Sequence, residues 1–300
     1  MKDVLLTGSI PALVTPFAKD ESIDLVAWKK WLCWHDQQSS RSVVVFGSTG
    51  EGVSLAEEER ALLLKSARKN LCSTGMIVGV AAPSTEMAID QARQAKDMGA
   101  QAILLTTPFY VKPDQNGLCQ HYLKVSQMVG IPIILYTVPS RTGIDLNTQT
   151  IVALSQDKNI VGIKDASGKR DRVAEIITQT NDNFIYLSGN DSEIIEHLQC
   201  GSDGAISVVA NLLPSAMQSI MGNYKANPQW AKGKFAKIQP IIQAIEQHGN
   251  PRAIKHMVQI LFNLPGTMRL PLTEVDTDAQ NALAQCLQKA QISPQPISET

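Results

Sequence analysis

Short apolar runs rich in β-branched residues recur along the chain, separated by longer segments whose apolar positions fall three to four residues apart. The short runs predict strands near residues 10–14, 42–46, 76–81, 102–106, 131–136, 160–164, 184–188 and 204–208. Helical spacing marks the intervals between them, as at 57–70, 86–98 and 117–129. The helix after the second strand is preceded by Ser54-Leu55-Ala56-Glu57, an S-x-x-E pattern that reads as a capping box. Parallel neighbours need a crossover, so strict alternation of strand and helix predicts a parallel sheet covered by helices. Eight repeats fit a closed (β/α)8 TIM barrel better than an open doubly wound sheet. Beyond Leu213-Pro214 no strand pattern returns, and the spacing predicts helices over 230–247, 251–261 and 276–289, with an irregular stretch at 264–275. An α/β fold follows, with a catalytic barrel over 1–224 and a C-terminal helical appendage over 225–300. Its last residues, 292–300, carry two prolines and three serine or threonine residues, and are expected to fray.

Composition narrows the function classes. The chain has 300 residues, 44% hydrophobic and 18% charged, as in a soluble globular protein able to bury a large core. A net charge of −1 gives no general attraction to nucleic acid or anionic membranes, so neither is expected as a partner, and an anionic substrate must be held by local groups. Five scattered cysteines without a C-x-x-C pair indicate neither a disulfide framework nor a zinc site, which fits a reducing cytoplasm. Gly8 and Pro11 interrupt the N-terminal apolar stretch and no run approaches membrane-spanning length, so no export signal is expected. The five histidines show no ligand spacing, and no metal or other cofactor is expected.

Barrel active sites lie at the C-terminal ends of the strands, which directs attention to the polar residues there. Lys164 closes the apolar run Ile160-Val161-Gly162-Ile163, where desolvation would disfavour its ammonium form and leave an amine able to attack a carbonyl carbon. The competing reading is a lysine that reaches the rim or pairs with Asp165. Gly47-Ser48-Thr49-Gly50-Glu51 ends the second strand. Its glycines admit a ligand to the backbone and its hydroxyls can donate to an oxyanion, although a plain glycine turn fits as well. Tyr110 and Tyr136 follow the fourth and fifth strands; each fits a core residue with a surface hydroxyl, or a phenol that relays protons. Arg141 offers a planar fork for a carboxylate, or a surface salt bridge. Converging at one rim, these groups suit a keto acid.

The segments GSTGE (47–51), TTPFY (106–110), YTVPSRTG (136–143), VGIKDASG (161–168), LSGND (187–191) and GAISVVAN (204–211) occur in that order. Together with NPRAIK (250–255) and MRLPL (268–272), they resemble the dihydrodipicolinate synthase family within the pyruvate-dependent class I aldolase and N-acetylneuraminate lyase superfamily. The resemblance implies condensation of pyruvate with aspartate 4-semialdehyde in lysine (diaminopimelate) biosynthesis. Lys164 would form the Schiff base, with no separate cofactor. Tyr136 would relay protons with Ser48 and with Tyr110 of a neighbouring subunit. Thr49 would hold the pyruvate carboxylate and Arg141 that of the semialdehyde, while Gly189 and Ile206 would line the pocket. A dimer would be the minimum active unit, and a dimer of dimers the assembly.

Two departures bear on the branch and its regulation. Ser48 stands where many synthases have threonine, and GSTGE is also written by the N-acetylneuraminate lyase branch, so a lyase acting on sialic acid or a 2-keto-3-deoxy sugar acid is the alternative. Thr137 stands where asparagine is common. Lysine-inhibited relatives hold the inhibitor with polar groups at positions that here carry Pro83, Met87 and Phe109, which implies weak or absent lysine inhibition.

Overall fold

The structure is a computed structural model that describes residues 2–38, 40–295 and 297. Eight strands form one parallel sheet: β1 (Gly8–Pro11), β2 (Ser42–Val45), β3 (Gly75–Val80), β4 (Ala102–Thr106), β5 (Ile133–Thr137), β6 (Ile160–Asp165), β7 (Ile185–Ser188) and β8 (Gly204–Ser207). Each pairs with the next from β2 to β8, and β8 pairs with β1. A parallel bridge between Ala12 and Val44 closes the circle, so the expected TIM barrel is present. The first strand ends earlier than its apolar run: the Val14 amide donates to Asn211 Oδ1 at 3.2 Å instead of to a strand neighbour.

The barrel helices are α1 (Leu25–Asp36), α2 (Glu57–Asn70), α3 (Thr85–Asp97), α4 (Gln115–Val129), the single turn α5 (Pro139–Thr142), α6 (Thr148–Leu154), α7 (Arg172–Gln179), α8 (Ile194–Gln199) and α9 (Pro214–Asn223). Three more follow: α10 (Pro228–His248), α11 (Arg252–Phe262) and α12 (Thr277–Lys289). The α2 start needs one correction, because its N-cap is Ala56 and not Ser54. Glu59 accepts from the Ala56 amide at 3.0 Å, but alanine has no side-chain oxygen to return the bond. Ser54 lies in a preceding 3-10 turn, its carbonyl taken by Arg269 Nη1 at 3.0 Å.

Period-two alternation divides the strand residues between two cores. Ile10, Val44, Ile77, Leu104, Ile134, Tyr136, Leu187 and Ile206 fill the barrel interior. Val43, Val45, Val78, Ile103, Leu105, Leu135 and Ile163 face the helices in a second core that extends into α10, α11 and α12. Where β8 meets β1 the backbones approach too closely for a side chain. A Cβ on Gly204, at φ +149°, would lie 2.0 Å from the Gly8 carbonyl oxygen.

The appendage is anchored in its middle and near its end. Lys255 of α11, 0% exposed, pairs with Glu51 Oε1 at 2.5 Å and places Nζ 4.1 Å from the Phe17 ring centroid. Burial pushes its ammonium down to about 8, against the opposing pull of Glu51. The Arg269 amide donates to the other Glu51 oxygen at 3.3 Å, and its guanidinium forks onto Glu59 at 2.7 and 2.5 Å. The expectation of a frayed end meets a docked segment where residues are described. The Gln295 amide donates to the Leu261 carbonyl at 2.6 Å, and Ile292 and Ile297 pack against the helix-side core. Residues 296 and 298–300 lie outside the described residues. Among the described residues no helix is long and apolar enough to cross a membrane.

Candidate active site

Lys164 and Tyr136 are cross-strand partners on β6 and β5, one residue from the C-terminal end of each strand. Both point into the barrel, and Lys164 Nζ sits 4.3 Å from the centroid of the Tyr136 ring. The lysine is 6% exposed, and none of the ion pairs recorded among the described residues engages it. The competing reading had the lysine reach the rim or pair with Asp165; its burial excludes the first and strand geometry the second, since successive residues face opposite sides and Asp165 points outward to Arg172. A cavity of about 170 Å³ opens above Lys164 and is also lined by Ser48, Thr49, Tyr136, Arg141, Gly189 and Asn250.

The loop after β2 turns back tightly. The Gly50 and Gly52 amides donate to the Gly47 carbonyl at 3.1 and 3.2 Å, and the Glu51 amide to that of Ser48 at 3.2 Å. Those bonds occupy the Gly50 and Gly52 amides, while the Ser48 and Thr49 amides donate to no partner among the described residues and can meet a ligand. No hydrogen bond joins Ser48 to Tyr136 among the described residues. Thr49 is buried and its Oγ1 accepts from Asn250 Nδ2 at 3.1 Å. The carbonyl of the same asparagine accepts from Arg141 Nη2 at 2.9 Å. Asn250 thus couples two groups suited to bind carboxylates, and sequence reasoning had not singled it out as a site residue. Its only signal was membership of the appendage motif at 250–255.

Gly189 forms part of the wall as expected, and a Cβ there would stand 2.6 Å from that of Ala166 and 2.8 Å from the Asp165 carbonyl. Ile206 does not reach the cavity. It belongs to the interior layer with Tyr136 and Leu187, and Val208, two residues further along, lines the opening instead. Asp191 ends the LSGND segment and was not singled out as a site residue. It lines the cavity with Oδ2 accepting from the Val208 and Val209 amides at 2.9 and 2.8 Å, while Oδ1 is buried without a partner among the described residues. Burial pushes its carboxyl above the usual carboxylate range, opposed by Ser207, those two amides and the Lys164 charge.

Tyr110 lies apart from this group. It is 89% exposed at φ +73° and lines neither the Lys164 cavity nor the apolar one of about 370 Å³ beside it. The two cavities share Ser48, Tyr136, Val138 and Arg141. Among the described residues no group of three or more His, Cys, Asp or Glu is placed to hold a metal ion. An amine against a phenol, two unused amides and an arginine at the rim together suit imine chemistry on a small keto acid.

The model of the Dihydrodipicolinate synthetase family matches residues 5–290. Relatives named 4-hydroxy-tetrahydrodipicolinate synthase include one from Thermodesulfovibrio yellowstonii, 35% identical over 95% of this chain and 99% of that protein. One from Alcanivorax borkumensis is 36% identical over 95% of this chain and 98% of that protein. Among solved structures, dihydrodipicolinate synthase from Aquifex aeolicus superposes with a TM-score of 0.93 at 30% identity, covering 98% of this chain and 100% of that one. The chloride-inhibited enzyme from Acinetobacter baumannii, complexed with pyruvate, gives a TM-score of 0.92 at 38% identity, covering 96% of this chain and 99% of that one.

Proposed function

The chain belongs to the dihydrodipicolinate synthetase family, and from that premise we propose that it is a lyase condensing pyruvate with L-aspartate 4-semialdehyde to 4-hydroxy-tetrahydrodipicolinate. The observation that carries this reading is the inward-facing pair of Lys164 and Tyr136 beneath a cavity whose rim holds Arg141. The Lys164 amine attacks C2 of pyruvate, and loss of water gives a Schiff base. Removal of a methyl proton yields an enamine whose carbon attacks the aldehyde. The amine of the second substrate then adds to C2 and expels Lys164. Tyr136 moves the protons of imine formation, with the Ser48 hydroxyl in reach of the same cavity. Thr49 and the free amides of the turn hold the pyruvate carboxylate, and Arg141 that of the semialdehyde. Gly189 leaves room beside the imine, and Ile206 supports it from below.

Turnover of pyruvate with aspartate semialdehyde, compared with cleavage of N-acetylneuraminate, tests the assignment. The first is expected to exceed the second in kcat/KM by at least about a hundredfold. The reverse order replaces the assignment with that of a sugar-acid lyase.

Tyr110 completes the relay from a second copy of the chain, which makes a homodimer the minimum active unit and a dimer of dimers the assembly. Its side chain is exposed and outside both cavities of its own chain, while its neighbour Phe109 lines the apolar one, which supports this. Tyr110→Phe and Lys164→Ala are each expected to be nearly inactive alone. Mixed and reassembled, they should recover up to about a quarter of wild-type activity, because half of the dimers are hybrids with one intact site. No recovery would remove the shared site.

The enzyme works in a reducing cytoplasm, which suits its five unpaired cysteines. It is weakly inhibited by lysine or not at all, since Pro83, the exposed Met87 and Phe109 offer no side-chain donors or acceptors for an amino acid's charged groups. Millimolar L-lysine is expected to leave the initial rate nearly unchanged; half-inhibition at micromolar concentration would contradict this.

A further inference from the structure

Behind the wall that carries Lys164 and Tyr136, the outer face of the same two strands holds a second polar group. Thr137 and Asp165 are the last cross-strand pair of β5 and β6, one step beyond Tyr136 and Lys164, and so point away from the cavity. Arg172, at the start of α7 and 7% exposed, spans this pair. Its Nε and Nη2 donate to the two Asp165 oxygens, each at 2.8 Å. Nη1 and Nη2 donate to Asp145 at 2.9 and 3.2 Å, and Nη1 also to the Leu146 carbonyl at 2.8 Å. Asp145 in turn accepts from Thr137 Oγ1 at 2.7 Å. From β7 the Tyr186 hydroxyl donates to Asp165 at 2.8 Å.

We propose that Arg172 is a positioning residue: by tying Asp165 on β6 to Asp145, and through it to Thr137 on β5, it sets the spacing at which Lys164 and Tyr136 face each other. This rests on the reading of Lys164 as nucleophile and Tyr136 as proton relay. Two features make the clamp necessary. The ladder between β5 and β6 ends at Thr137 and Asp165, and at its other end the register shifts between Ile133 and Ile134. Only a short stretch of ladder therefore holds the reacting pair in register. A guanidinium fork fixes direction as well as distance, which an ammonium does not. Burial alone would raise the Asp165 carboxyl, but the Arg172 ion pair and the Ser167 amide hold it below the usual carboxylate range, so the clamp is charged at neutral pH. Thr137 gains a role here: its hydroxyl joins Asp145 to β5 and also accepts from the Leu146 amide at 3.2 Å.

Arg172→Lys keeps the charge and loses the fork. Since displacement of a reacting group by roughly 1 Å costs about a hundredfold, kcat is expected to fall about 10- to 100-fold. KM for pyruvate should stay within about twofold, and the borohydride-trapped pyruvate adduct should form more slowly. Thr137→Val leaves the Arg172 ion pairs in place and keeps the test valid if the arginine variant fails to fold. It is expected to lower kcat by roughly 3- to 10-fold in the same pattern. The deciding measurement combines each variant with Tyr136→Phe. A positioning role predicts a combined loss well below the product of the separate losses, because the geometry matters less once the relay is gone. Wild-type kcat in both single variants, or losses that multiply, overturns the proposal. Wild-type kcat in Tyr136→Phe alone removes the relay itself, and the proposal with it.

Discussion

Lys164→Arg is expected to eliminate the adduct that borohydride traps with pyruvate, and to lower kcat by at least about a thousandfold, on the order of 4 kcal/mol of transition-state stabilisation. Arginine keeps a cation near the Tyr136 ring, so the loss reports the missing nucleophile and not a missing charge. Mass mapping of the wild-type adduct gives the sharper measurement, because the chain contains a rival. Lys255 is also buried, and its amine is pushed down to about 8, which on acidity alone would favour it as a nucleophile. Geometry decides against it. Its Nζ is taken by Glu51 at 2.5 Å, and it lines neither cavity at the barrel mouth. An adduct on the peptide containing Lys255 would overturn the assignment of Lys164.

Lys255→Met is expected to be the most destabilising change outside the site. It leaves the Glu51 carboxylate buried without its partner, which costs about 3–5 kcal/mol. For a domain of this size that lowers the unfolding midpoint by roughly 5–8 °C. Removing both charges, as in Glu51→Leu combined with Lys255→Met, should restore most of the loss, since the penalty comes from the uncompensated charge. The pH dependence has a definite sign. The folded chain releases the Lys255 proton near pH 8, and the unfolded chain at its ordinary value of 10.5. Between those values the unfolded state binds more protons, so this residue's contribution to stability rises with pH across the window. Denaturant unfolding above pH 8, compared with Lys255→Met, should show that rise in the wild type alone. The same slope in both proteins would assign it to another group.

Short apolar runs alternating with helically spaced segments made the barrel legible in the sequence, and the strand ends marked where its site would lie. Lys164 and Tyr136 each close an apolar strand, and the crossing of eight strands brings them together. Ser48, Thr49 and Arg141 were legible for the same reason, as polar residues just past strand ends. What escaped depends on register and on the returning chain. Ile206 and Val208 lie two residues apart, one full period of the pleat, and an error of that size decides whether a side chain supports the floor or lines the opening. The capping box failed because Ser54 is drawn into a 3-10 turn by the loop that also positions Glu51. Asn250 meets Thr49 across a sequence separation of 201 residues, and no local spacing carries such a contact. Arg172 stands in the charged run Lys169-Arg170-Asp171-Arg172, and only the fold places it between two strands.

The bonds that Asn250 makes to Thr49 and Arg141 set an order of events during synthesis. A growing chain folds from its amino end as it emerges, so the strands bearing Lys164 and Tyr136 are available well before the appendage exists. Until α11 has left the ribosome, neither Asn250 nor Lys255 can brace the turn at 47–51, and the incipient barrel holds the proposed nucleophile without a braced form of the proposed carboxylate grip. On the proposed roles, competence for catalysis arrives with the last fifth of the chain, and a ribosome stalled before it would display Lys164 without a braced turn to hold its substrate.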